Sequence, residues 1–240
     1  MTLTVALAVK DGMVFATDSR GTIGDPRGLT AQNDTIKKQY VLAKHTILQM
    51  SGANETGAML IEEIQKWCNE QEHPTTTQIM YQTRKILVKR YDEWFPGMPP
   101  QPIQGVHALP RPQLNITIGG YDIEGKTSPI QRIYLLPSSM NFPPQLFNTN
   151  MCLTGIPQYA VYLLHRLFTP TMPLSSAIHL AAYVITETAT QDGKVGGPLQ
   201  IIQLDVEEGA KELNTEEIDN IIEDNKEIGT KLRELFLRWR

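Results

Sequence analysis

The chain has 240 residues, 41% hydrophobic and 20% charged, with a net charge of −4. That length buries a sizeable core as one large domain or two small ones, and Lys and Arg are nowhere concentrated, which argues against a nucleic-acid partner. No stretch nears the ~20 apolar residues that a membrane-spanning helix needs, and two cysteines with no motif spacing, Cys68 and Cys152, exclude a disulfide framework and fit a reduced, cytoplasmic protein.

Thr2 to Val9 is apolar and β-branched, Lys10-Asp11-Gly12 is a hairpin turn signal, and Met13 to Thr17 is a second strand. No cationic stretch precedes Leu3, and Lys10 interrupts the apolar run too early for a signal peptide, so these first residues are expected to belong to the fold. Ser19 to Thr35, rich in Gly, Thr and Asp, reads as a loop. Gln39–Ala43 and Thr46–Met50 form a second strand pair, nearly continuous in apolar residues, as strands covered on both faces are.

Ser51-Gly52-Ala53-Asn54 opens a helix to about Glu70, with Met59, Leu60, Ile64 and Trp67 on one face. Pro74 ends it, and Thr75 to Trp94 is a second helix with Ile79, Ile86, Leu87, Tyr91 and Trp94 inward. Phe95 to Pro112 holds six of the sixteen prolines and reads as a long exposed loop. Leu114–Tyr121, Gln131–Leu136 and Leu146–Leu153 are strands, with a turn over Asp122–Gly125. Asn115-Ile116-Thr117 fits a glycosylation acceptor but falls in a strand and is discounted. Pro157–Phe168 and Leu174 to about Thr190 are helices, Leu199–Leu204 a last core strand, and Thr215–Arg240 a polar C-terminal helix. Strand blocks alternating with helix pairs predict an α+β protein of two stacked, mostly antiparallel sheets with helices outside. The whole chain reads as one domain, with a core over 2–205 and a helical extension over 215–240.

A terminal Thr is its own catalytic unit. Its hydroxyl is the nucleophile, and its α-amine, with an unperturbed pKa of about 7.7–8.0, accepts the hydroxyl proton. A nearby ammonium lowers that pKa by like-charge repulsion, and a buried carboxylate must hold the ammonium. Thr2, exposed once Met1 is removed, the Lys37-Lys38 pair and Asp18 are candidates for these parts. Gly52, where a strand turns into a helix, is a candidate for the N–H that receives an oxyanion. Taken singly, each has an ordinary reading: a turn, a solvated lysine pair, a helix-start glycine. Their order and spacing carry the functional one. The five histidines share no pattern and are read as structural or surface residues.

The opening Thr2 to Arg20, with its strand, Lys-Asp-Gly turn, second strand and Thr-Asp-Ser-Arg, resembles the start of a mature proteasome β-subunit. Lys37-Lys38 before Gln39-Tyr40-Val41-Leu42, Met50-Ser51-Gly52, Leu153-Thr154-Gly155-Ile156-Pro157 and Asp192 to Pro198 resemble later segments of that family. The likeness spans about residues 2–205. It implies the N-terminal nucleophile (Ntn) hydrolase fold, a four-layer αββα sandwich, as in the bacterial peptidase HslV and other bacterial or archaeal proteasome homologues. It implies a threonine-type endopeptidase with no cofactor or metal, acting on unfolded protein or peptides through an acyl-enzyme. It also implies a homo-oligomeric ring served by an unfolding ATPase. Thr2 would be nucleophile and base, Lys38 tune the amine, Asp18 fix Lys38, and the Gly52 N–H form the oxyanion hole. Thr154, Asp192 and Val195 would stand near the amine. Gly21, Ile36, Met50 and Asn54 would surround the substrate side chain before the cut, a mainly apolar pocket that hints at cleavage after hydrophobic residues. Three departures stand out. The segment between Arg20 and Lys38 is about four residues longer than usual, Thr154 replaces a serine, and Val195 replaces another without a hydroxyl. Alternative readings are a non-catalytic ring subunit of the same fold, or an Ntn amidase or acyl transferase on a specific substrate.

Overall fold

A computed structural model describes residues 2–24, 30–102, 104, 109–123 and 128–238. Met1, the middle of the Ser19–Thr35 segment, part of the Pro-rich stretch with His107, the end of the Asp122–Gly125 turn and the last two residues lie outside the described residues. Twelve strands and five α-helices make up the described part, in the order β1 (Leu3–Val9), β2 (Gly12–Thr17), β3 (Gly21–Gly24), β4 (Thr30–Asn33), β5 (Gln39–Ala43), β6 (Thr46–Gly52), α1 (Asn54–Asn69), α2 (Thr76–Trp94), β7 (Leu114–Asp122), β8 (Ile130–Pro137), β9 (Gln145–Leu146), β10 (Met151–Gly155), α3 (Gln158–Leu167), α4 (Leu174–Gln191), β11 (Gln200–Asp205), β12 (Gly209–Glu212) and α5 (Thr215–Leu237).

Two five-stranded sheets stack, one ordered β10-β1-β2-β11-β12 and the other β5-β6-β7-β8-β9, and every strand pair is antiparallel. Strand parity assigns the layers. Along β1, Leu3, Val5, Leu7 and Val9 meet α3, α4 and the start of α5, while Ala6 and Ala8 face the other sheet beside Phe15 and Ile47. Small alanines there leave room for that ring, and each fully buried Leu or Val contributes roughly 1.5–3 kcal/mol. On β6, Leu48 and Met50 meet α1 and α2, and Ile47 faces the opposing sheet. The result is the four-layer αββα sandwich that the strand and helix blocks predict.

Several elements differ from the sequence reading. The Ser19–Thr35 loop contains the β3–β4 hairpin, paired from Gly21↔Asn33 to Gly24↔Thr30, whose Gly- and Thr-rich sequence has no apolar alternation to reveal it. The single strand expected over Leu146–Leu153 is two strands in different sheets: β9 pairs with β8, and β10 crosses to β1. Pattern alone does not show where a chain changes sheets. On α1 the buried face is Leu60, Ile61, Ile64 and Cys68, and Met59 is exposed, a small rotation from the expected stripe. Helix α2 starts with a capping box between Thr75 and Gln78, which satisfies two orphan N–H groups. The described ends of the Pro-rich segment close on each other, with Arg111 N donating to Pro99 O and Gln113 Nε2 to Pro100 O. Strand β12 adds to β11, and Ile218, Ile221 and Ile222 of α5 pack into the α3–α4 core.

Candidate active site

Thr2 immediately precedes β1, at the end of the sandwich where β1, β2 and β10 converge. Its carbonyl accepts from Ile156 N at 2.8 Å, and β1 is held in register by Leu3 opposite Gly155 and Thr4 opposite Thr17. Gly155 has φ of 93°, and a Cβ there would lie 1.7 Å from the Thr2 carbonyl oxygen. Only glycine both adopts that backbone and permits so close a pass.

Asp18 directly follows β2 at 0% exposure and gathers donors from four segments. Leu3 N lies 3.0 Å and Lys38 Nζ 2.8 Å from Oδ1, and Arg20 N and Gly196 N each lie 3.1 Å from Oδ2. A buried carboxylate needs such a set to remain charged. Lys38, 3% exposed, spends a second proton on the Arg20 carbonyl at 2.7 Å. Burial pulls the Lys38 ammonium below its ordinary value, while Asp18 opposes that shift. The same carboxylate that holds Lys38 thus also binds the amide following Thr2.

Thr2, Lys38 and Gly52 line one cleft of about 320 Å³, with Gly21, Ile36, Met50 and Asn54. Seven sequence candidates from five segments therefore share a cavity. Thr22, Asn33, Ser51 and Glu55 line it as well, which makes it more polar than the apolar pocket expected. Gly52 has φ of 113°, and a Cβ there would lie 2.1 Å from the Gln113 carbonyl oxygen. It closes β6, one residue before Ala53, the N-cap of α1, near a helix end where backbone N–H groups and the helix dipole favour negative charge.

The remaining candidates sit differently. Thr154 Oγ1 lies 2.7 Å from Thr4 Oγ1 and receives Ser51 Oγ at 2.8 Å, joining the two sheets beneath Thr2. The Asp192 carboxylate receives Lys194 N and closes its own turn, and Val195 is buried in the α3–α4 core. Their loop nonetheless reaches the site through Gly196, whose carbonyl accepts from Ser19 N and Arg20 N. Sequence reasoning missed Asp34 and Gln200. Asp34 grips the Arg20 guanidinium through two 2.8 Å bonds. Gln200 receives Lys38 N and donates to the Ile36 carbonyl, clamping the segment that carries the lysine. The only sequence signal for Gln200 is a polar residue opening an apolar strand.

A family model described as Proteasome subunit matches residues 2–96. Proteasome subunit beta of Archaeoglobus profundus is 25% identical over 227 residues, covering 92% of each chain, and that of Archaeoglobus fulgidus is 24% identical with the same coverage. Among solved structures, Anbu (ancestral beta-subunit) from Yersinia bercovieri superposes with a TM-score of 0.75 at 18% identity, covering 99% of this chain and 97% of that one. A helical assembly of the Anbu complex from Pseudomonas aeruginosa gives a TM-score of 0.70 at 19% identity, covering 99% and 97%. In sequence and in fold, this chain is proteasome-like.

Proposed function

We propose that the chain is a threonine-type endopeptidase whose nucleophile is the Thr2 hydroxyl, freed with its α-amine by removal of Met1. The observation that carries this reading is the buried Asp18 carboxylate, which holds both the Lys38 ammonium and the amide after Thr2 at the wall of one cleft. The Lys38 charge disfavours a protonated amine nearby, so the Thr2 amine is neutral and basic near pH 7. That amine takes the hydroxyl proton as Oγ1 attacks the peptide carbonyl, and the Gly52 N–H receives the oxyanion. Collapse of the tetrahedral intermediate releases the amine product, protonated by the α-ammonium, and leaves an acyl ester that water then hydrolyses. Unfolded polypeptides are the natural substrates, threaded by a partner ATPase into a homo-oligomeric ring in the cytoplasm. The proteasome-like family and the assembly named for Pseudomonas Anbu support the oligomer. Among the described residues, no helix is long and apolar enough to cross a membrane.

The test is intact mass before and after incubation with a peptide epoxyketone, which requires both the amine and the hydroxyl of a terminal Thr. The expected result is a chain lacking one methionine that gains one inhibitor, with loss of the adduct in Thr2→Ala. A chain with verified free Thr2 that gains no mass overturns the reading.

A further inference from the structure

We infer that Glu55 makes the cleft selective for a cationic side chain, Lys or Arg, at the substrate residue before the cut; this rests on the peptidase reading above. Charge accounting around the cleft carries the argument. Lys38 is matched by Asp18 at 2.8 Å, and Arg20 beside it is matched by Asp34. Both cations at this end thus have their own carboxylate. Glu55 lines the same cleft, and no cation pairs with it among the described residues. Among the described lining residues one negative charge is therefore left unpaired, on a side chain that is itself exposed.

Its other walls suit a long cationic side chain. Ile36 and Met50 offer apolar surface for a methylene stem, while Asn54 offers an amide oxygen beside Glu55 for an ammonium or guanidinium. Long basic side chains bury their stem and keep the charged tip among polar partners. An apolar substrate side chain would displace water from Glu55 and Asn54 without returning a hydrogen bond, which costs binding.

Glu55 also stands in the first turn of α1, where a carboxylate stabilises a helix through its dipole. The experiment separates that role from recognition. Matched peptides differing only in the residue before the cut, Arg, Lys or Leu, are hydrolysed by the full-length protein and by its Glu55→Gln, Glu55→Asp and Glu55→Lys variants. Epoxyketone adduct formation and thermal midpoint are followed in parallel. The expected result is a preference for Arg and Lys over Leu of at least ~10-fold in kcat/KM, weakening as salt rises. Glu55→Gln removes it, Glu55→Asp keeps most of it and Glu55→Lys reverses it, while all four proteins form the adduct. An unchanged preference in Glu55→Gln, or a parent protein that favours Leu, overturns the assignment while leaving the peptidase reading intact. Absence of any adduct overturns the peptidase reading itself, and the assignment with it.

Discussion

Two ion pairs flank the same β2–β3 connection, and they differ in nearly every physical respect. Lys38–Asp18 is 3% and 0% exposed, while Arg20–Asp34 is 21% and 38% exposed. The exposed pair has the better geometry, a planar guanidinium meeting both carboxylate oxygens. The buried pair draws on backbone groups from Leu3, Arg20 and Gly196 as well as on each other. Burying two charges is costly even when they are paired, and apolar residues of similar volume are often as stable. On the proposed peptidase reading, such a pair beside the cleft that Thr2 lines serves chemistry rather than stability. The exposed pair fastens β3–β4 to the 193–197 loop and is expected to do little more.

Asp18→Ala should have the largest effect. It leaves the Lys38 ammonium buried without its counter-charge, which is expected to cost about 3–5 kcal/mol of unfolding free energy. It should also slow epoxyketone capture at least ~100-fold, because the amine loses its tuning. Denaturant unfolding and time-resolved intact mass measure the two. Unchanged capture would remove Asp18 and Lys38 from the mechanism.

Next comes Gly155→Ala, which touches neither ion pair. The Cβ would press on the Thr2 carbonyl, so the nucleophile shifts together with the Leu3 N–H that Asp18 accepts, while the direct Lys38–Asp18 contact is left in place. Capture should slow by roughly 10- to 100-fold, as expected for a displacement near 1 Å. A normal rate would mean that the placement of Thr2 is not what limits reaction.

Titration separates the pairs more finely. Burial lowers the Lys38 pKa from its ordinary value near 10.5, so in the alkaline window below that value the folded chain binds fewer protons than the unfolded one. Stability contributed by Lys38 therefore rises with pH there, and the stability gap between the parent and Lys38→Met should shift toward the parent. The hydrogen bond to Arg20 lowers the Asp34 pKa from near 3.8. Its contribution is fully present above that value and is lost as pH falls through the lowered one, so the gap to Asp34→Asn should close in acid. Urea unfolding across pH reads both signs.

The smallest effect is expected for Arg20→Ala. What Arg20 gives the buried pair is its backbone N–H and carbonyl, which alanine keeps. The unfolding midpoint should barely move and capture should stay within about threefold of the parent, as for an exposed pair. A large loss would show that the guanidinium, through Asp34 and Gly193, holds the site together.

Much of this was legible residue by residue. The β1–β2 hairpin declared itself through apolar β-branched runs around Lys10-Asp11-Gly12, and α2 through its inward face after Pro74. Thr2, Asp18, Gly52 and a lysine could be named because a terminal Thr, a lysine, a carboxylate and a strand-end glycine form one chemical set, whereas Gly21, Ile36, Met50 and Asn54 came only from the family resemblance. Hairpin β3–β4 was not legible, since its pairing depends on contacts with Arg20 and the 193–197 loop rather than on alternation. Nor was the split between β9 and β10, because a sheet-to-sheet crossover leaves no mark on local periodicity.

Local chemistry is therefore what the amino-acid order determined: which runs are strands or helices, where the chain turns, and which side chains can donate, accept or carry charge. Only the tertiary structure decided that positions 3, 20, 38 and 196 would meet on the carboxylate of Asp18. It also placed Thr154 between the sheets and put Glu55 into the cleft. The reason is physical: propensity and periodicity act over a few residues, whereas a buried charge is satisfied by whichever distant backbone the packing brings within about 3 Å.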